Sequence, residues 1–190
     1  METWKVEKIS GERAFTGKLF NVDVDQIINP HSSGELAPAQ LVRREVVRHP
    51  GAVAIIPCLP GAKIVLIRQY RYPIDTWLWE IPAGLLEQNE TPDDCAAREL
   101  TEETGYKARN LNLLATLHSS PGFSDEVLYL FFADNLKLGK PKPDPEESIE
   151  VKIFSILEVL EMISRGEITD SKTVNGILLV AHDIYPVTGT

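Results

Sequence analysis

The sequence predicts a mixed sheet packed between helices, an α+β or α/β sandwich, preceded by an N-terminal β region. Three observations carry that expectation. Two short apolar runs at 52–59 and 63–70 are split by Pro60-Gly61, which reads as adjacent strands of a mostly buried sheet. Residues 91–105 carry both the start and the stop signals of one helix. Residues 155–165 and 173–185 repeat apolar side chains at helical spacing, with Ile156, Val159, Leu160 and Ile163 in one and Val174, Ile177, Leu178 and Ala181 in the other.

Taken in order, residues 17–28 alternate aliphatic positions (Leu19, Val22, Val24, Ile27) and read as a strand. His31-Ser32-Ser33-Gly34 is a turn signal, and 40–47 resumes a strand that carries Arg43 and Arg44. His49-Pro50-Gly51 breaks it, so residues 1–48 are set apart from 49–190. Trp77-Leu78-Trp79 reads as one more short strand. In the helix, Thr91 suits the cap, Pro92 the first helical position, and Asp93 and Asp94 the positive end of the dipole. Gly105 suits its stop. Strands are expected at 111–118, 127–133 and 149–154, and the Pro-rich acidic stretch 140–147 reads as a loop.

Composition narrows the function classes. With 28 acidic against 19 basic residues the formal charge is -9, so a basic nucleic-acid surface is not expected. At 43% hydrophobic there is material for one core, and no apolar run is long enough to cross a bilayer. Met1 to Lys5 shows no signal-peptide pattern. Cys58 and Cys95 form neither a CxxC pair nor a metal-ligand spacing, which suits reduced thiols and a cytoplasmic location.

The chemistry concentrates around the helix. Glu99 and Glu103 stand four apart and share a face, with Glu102 at its edge. Like charges at that spacing weaken a bare helix by a few tenths of a kcal/mol per pair. A hard cation gives a reason for them, because Mg²⁺ takes carboxylate oxygens together with substrate phosphate oxygens. The bland alternative is a solvated face, which the i,i+4 pair Arg98–Glu102 would fit. The wider pattern decides between them. Gly84, Glu90, Arg98, Glu99, Leu100, Glu102, Glu103 and Gly105 fall at fixed spacing, with Tyr106 in the last apolar place. A chance match of all of them is below roughly one in a million.

This pattern resembles the signature of the Nudix hydrolases, with Tyr106 a mild departure from the usual aliphatic. The resemblance covers roughly residues 50–190 and implies an α/β/α sandwich with a mixed sheet. It implies that Glu99, Glu102 and Glu103, with the backbone carbonyl of Ala83, hold Mg²⁺, or Mn²⁺ in its place. It further implies that Glu90 and Arg98 pair and brace the loop–helix. Arg68-Gln69-Tyr70-Arg71, Glu80-Ile81-Pro82-Ala83-Gly84 and Pro121, sixteen residues after Gly105, resemble the ADP-ribose pyrophosphatase group. In that group the N-terminal β region builds a domain-swapped homodimer.

Further roles follow from the same resemblance. Arg71 is expected at the diphosphate or ribose, Arg44 at the dimer interface reaching the substrate, and Glu126 near the terminal ribose. The plain alternative for either arginine is an ion pair. Glu147-Ser148-Ile149-Glu150-Val151 resembles the loop and strand that carry the general base, which makes Glu147 the first choice and Glu146 its neighbour and alternative. Glu102 is expected to serve in catalysis as well as at the metal. Trp77 and Trp79 offer faces for an adenine, but core packing is the preferred reading. The implied reaction is cleavage of ADP-ribose to AMP and ribose 5-phosphate by a water that Glu147 deprotonates. GDP-mannose or another nucleotide sugar, a dinucleotide, or ADP-ribose sensing without cleavage are the alternatives.

Overall fold

In the computed structural model, which describes residues 6–29, 40–139 and 148–184, the chain divides into two units. The first takes in the described residues up to Pro50 and the segment His118–Val127. Strands β1 (Glu7–Thr16), β2 (Asn21–Asn29) and β3 (Gln40–Arg48) form an antiparallel sheet in that order. The expected strand at 17–28 starts later than its alternation suggested. Gly17 donates its N–H to the Phe20 carbonyl at 3.1 Å, so the first four residues form the turn between β1 and β2. Strand β1 escaped sequence reading because all ten of its residues are exposed, so it shows no two-residue period of burial.

Arg48 ties the distant segment into this unit. Its guanidinium donates to Asp23 at 2.9 Å, to Asp25 at 2.9 Å and to Asp125 at 3.1 Å. Backbone bonds run alongside, from Val47 N–H to Phe123 O at 2.8 Å and from Asp125 N–H to Val47 O at 3.1 Å. The His49 N–H donates to the Asp125 carboxylate at 2.8 Å.

The second unit comprises Gly51–Leu117 and the described residues from Leu128 onward. Its strands are β4 (Ala52–Leu59), β5 (Lys63–Arg71), β6 (Thr76–Glu80) and β7 (Ala83–Leu85), followed by helix α1 (Pro92–Thr104). Then come β8 (Tyr106–Lys107), β9 (Asn110–His118), β10 (Val127–Asp134), β11 (Lys137–Leu138), β12 (Ile149–Ser155), α2 (Ile156–Ser164) and α3 (Ser171–Ile184). The main sheet runs β12-β5-β4-β10-β9, with β6 on β5 and β7 on β4. It is mixed, since β4 pairs parallel with β10 but antiparallel with β5 and β7. Strands β7, β8 and β11 span three residues or fewer, too few for any period to show in the sequence.

The layers follow from strand alternation. Along β4, Ala54 and Ile56 turn to one face and Val53 and Ile55 to the other, all fully buried. The first face packs with Leu130 of β10 against Ile156 and Val159 of α2 and Ile177 of α3. The second packs with Phe131 and Ala133 against Cys95, Ala96 and Leu100 of α1. One helix on one face and two on the other give the expected α/β/α sandwich. Gly176 allows α3 to press onto the sheet, since a Cβ there would stand 3.1 Å from Ile56.

The helix signals act as their chemistry requires. The Thr91 side chain accepts the Asp94 N–H at 3.2 Å, Pro92 opens α1, and Gly105 closes it at φ 76°, donating its N–H to Thr101 O. Ser155 and Glu158 form a reciprocal capping box on α2. Helix α3 begins two residues earlier than expected, because Asp170 caps it by accepting the Thr173 N–H at 3.0 Å. Among the described residues no helix is long and apolar enough to cross a membrane.

Candidate active site

Strand β7 and helix α1 build the site in the second unit. Glu103 lies on the sheet-facing side of α1 and is buried; its carboxylate accepts the Ala83 backbone N–H at 2.9 Å. One turn earlier, Glu99 lies over Gly84. A Cβ on residue 84 would fall 2.0 Å from the Glu99 carboxyl carbon, so only glycine admits this carboxylate. The structure thus sets Glu99 and Glu103 against the backbone of Ala83 and Gly84, whose spacing in the sequence suggested one shared site.

Arg98 organises the other carboxylates. Its Nε and Nη2 donate to the two oxygens of Glu90 at 2.8 and 2.9 Å, the bracing pair implied by the resemblance of residues 84–106, the signature box. Its Nη1 donates to Glu99 and, at 3.1 Å, to Glu102. Nη2 also reaches the Leu85 carbonyl at 3.2 Å and Cys95 Sγ at 3.3 Å. Hydrogen bonds from Arg98 hold the Glu90 carboxyl down at about 2, well below the usual carboxylate range. Burial pushes the Cys95 thiol up to about 12, with the Glu90 carboxylate beside it adding to the rise. Both cysteines are free thiols.

These donors suit a hard divalent cation in kind. They are carboxylates and a backbone carbonyl, and the space Gly84 leaves is filled by one of the carboxylates rather than by an apolar group. Among the described residues, no three Asp, Glu, His or Cys side chains converge closely enough to hold an ion. Arg98 accounts for part of this, since it draws Glu99 and Glu102 to its guanidinium.

Arg71 sits in the same unit, at the end of β5. Its Nε and Nη2 fork onto Glu80 at 2.7 and 2.6 Å. The Glu80 side chain is 1% exposed and also receives Lys172 Nζ, from the first turn of α3. Burial alone would raise the Glu80 carboxyl; Arg71 and Lys172 outweigh it and hold it below its ordinary value. Lys172 also donates to Asp170 at 3.0 Å, Thr173 Oγ1 donates to Asp170 at 2.6 Å, and Thr173 Oγ1 accepts the Ile81 N–H at 2.8 Å. Sequence reading missed Lys172, Asp170 and Thr173. The one signal available was Asp170 as a helix cap, since the pairing with Glu80 spans 92 residues.

The two tryptophans part company. Trp79 packs edge-on against Phe154 with ring centres 5.1 Å apart and joins the core, as preferred. Trp77 stays 46% exposed, with Tyr70 at its edge and the Arg68 guanidinium 5.7 Å above its ring. Alternation does not separate the two, because Trp77 and Trp79 stand two apart in β6, opposite Tyr70 and Arg68 of β5. Arg44 and Glu126 belong to the first unit. Arg44 is exposed and donates to the Arg43 carbonyl at 3.1 Å; Glu126 is met by Ser119 Oγ and lies 3.7 Å from His49 Nδ1. Glu146 and Glu147 lie outside the described residues. Two clefts of about 550 and 400 Å³ open along β12 and α2, and no box residue lines either one.

A model of the NUDIX domain matches residues 47–175. The chain belongs to the NUDIX family. It is 35% identical, over 179 residues and 93% of each chain, to a protein of Bacillus subtilis (strain 168) named ADP-ribose pyrophosphatase. It is 40% identical, over 168 residues and 87% of each chain, to a protein of Bacillus methanolicus named methanol dehydrogenase activator. A solved structure described as an ADP compounds hydrolase superposes with a TM-score of 0.79 over 97% of this chain and 96% of its own. At 21% identity that likeness speaks for the NUDIX fold.

Proposed function

We propose that this NUDIX chain hydrolyses the pyrophosphate bond of ADP-ribose to AMP and ribose 5-phosphate, with Mg²⁺ as its working ion and Mn²⁺ able to replace it. The observation that carries the reading is the packing of Glu99 and Glu103 against Ala83 and Gly84. Similarity to an ADP-ribose pyrophosphatase over 93% of the chain directs the choice of substrate.

In this reading Glu99, Glu102, Glu103 and the Ala83 carbonyl hold the ion, and Glu102 also serves in catalysis. Bound there, a divalent cation neutralises charge on the diphosphate and makes a nearby water more acidic. Arg71 and Arg44 meet phosphate or ribose oxygens through their guanidinium groups, and Glu126 meets the terminal ribose. Glu147, or Glu146 beside it, takes the proton from the attacking water. Residues 1–48 serve dimerisation and 49–190 the chemistry, so the active species is a homodimer with both chains contributing to each site. The free thiols Cys58 and Cys95 favour the cytoplasm as its compartment.

The test is product analysis with a panel of ADP-ribose, GDP-mannose and other nucleotide sugars. Rapid release of AMP from ADP-ribose supports the reading. Cleavage of GDP-mannose alone replaces the substrate, and tight binding of ADP-ribose without cleavage replaces catalysis by sensing. The relative named methanol dehydrogenase activator favours a second reading, in which the chain acts on a dehydrogenase. Adding the protein to methanol dehydrogenase and following alcohol oxidation tests it.

A further inference from the structure

Among the described residues of the second unit Glu80 is the most deeply buried carboxylate, and two cations share it. Arg71 forks onto both its oxygens, and Lys172 donates to Oε2, the oxygen that also takes Arg71 Nη2. A single arginine would already neutralise a single carboxylate. Asp170 balances the second cation on the far side of Lys172, and what remains to be explained is its placement on Glu80 Oε2 beside the Arg71 fork. Counted together, Arg71, Lys172, Glu80 and Asp170 carry no net charge.

The consequence falls on Arg71. Its fork uses one N–H of Nε and one of Nη2, and a guanidinium has five. Its side chain is 38% exposed while Glu80 is 1% exposed, so Arg71 reaches from the buried pair toward solvent. With Lys172 sharing the Glu80 charge, the attraction on Arg71 is divided. Without Lys172 the whole carboxylate would bear on Arg71, and the cluster would become net negative beside a site for an anionic diphosphate.

We propose that Lys172 is a positioning residue that acts through Glu80 to keep the Arg71 guanidinium available to the substrate diphosphate. This rests on the reading of Arg71 as a diphosphate contact. Thr173 extends the effect to the backbone. It bonds Asp170 on one side and the Ile81 N–H on the other, two residues before Ala83. The first turn of α3 thus bonds both the Glu80 carboxylate and the Ile81 backbone between β6 and β7.

The experiment compares wild type, Lys172→Met and Lys172→Arg in steady-state cleavage of ADP-ribose with Mg²⁺. The expected result for Lys172→Met is a KM raised about tenfold with kcat within about twofold, and recovery of most of the loss in Lys172→Arg. The same substitution made in an Arg71→Lys background should raise KM less than about twofold, because the residue it acts through has changed. An equal rise in both backgrounds, or no rise in either, overturns the proposal. Lys172→Gln replaces Lys172→Met if the latter does not fold. If wild type does not cleave ADP-ribose, the substrate reading fails separately. The NMR resonance of the Arg71 Nε–H then decides: a shift on Lys172→Met sustains the coupling, and an unmoved resonance refutes it.

Discussion

The Glu103 carboxylate accepts the Ala83 N–H at 2.9 Å, which ties the last turn of α1 to the start of β7. Glu103 is 4% exposed, so a carboxyl group sits in the core with the peptide N–H as one partner. Burying a polar group is costly unless the surroundings give it partners. The proposed ion site would account for that placement, which makes Glu103 the residue on which the proposed function turns.

Gly84→Ala tests the geometry. The added Cβ would meet Glu99 at 2.0 Å, and the carboxylate must move by an ångström or more. A misplacement of that size costs activity on the order of 100-fold. The expected variant folds, keeps its helical circular dichroism, and binds Mn²⁺ more weakly in a titration followed by electron paramagnetic resonance. Undiminished activity would mean that Glu99 does not work from this position.

Glu90 carries a pH signature. Arg98 depresses its carboxyl from 4.5 to about 2, so the folded state favours the ionised form. The stabilisation is fully present above about pH 4.5 and is lost as pH falls toward about 2. Glu90→Gln should cost about 1–2 kcal/mol at neutral pH, after allowance for solvent screening. Urea titrations at several pH values should show the gap to wild type closing across that acid window. A constant gap would show that the pair with Arg98 is not its origin.

Much of this was open to sequence reading, for local reasons. Thr91, Pro92 and Gly105 act through bonds to residues within four positions, so their signals survive in one dimension. The apolar runs of β4 and β5 are buried on both faces, which makes them continuous and easy to see. The fork of Arg71 on Glu80 also lies within one hairpin. Lys172, by contrast, meets Glu80 only because α3 packs back on the sheet, and nothing local in Ser171-Lys172-Thr173 announces an ion pair. Strand β1 was invisible because it buries no face.

Arg48 makes a separate prediction for the first unit. It joins Asp23, Asp25 and Asp125, and so fastens His118–Val127 to β2 and β3. Arg48→Ala should raise hydrogen exchange at the His49 and Asp125 amides by about tenfold, through easier local opening. Amides of α1 should be unaffected. Unchanged exchange at Asp125 would show that the backbone bonds with Val47 suffice.

The choice of base is tested by Glu147→Gln beside Glu146→Gln. Loss of a general base lowers kcat by roughly 10²- to 10⁴-fold. The account expects that loss in Glu147→Gln, with Mn²⁺ affinity unchanged, and a far smaller effect at Glu146. The reverse order would move the role to Glu146.

The most direct test of the central claim is product analysis of ADP-ribose incubated with Mg²⁺ and either wild type or Glu103→Gln. The account predicts AMP and ribose 5-phosphate from wild type, and almost none from a Glu103→Gln protein that retains its melting temperature. Equal product from both proteins would contradict it.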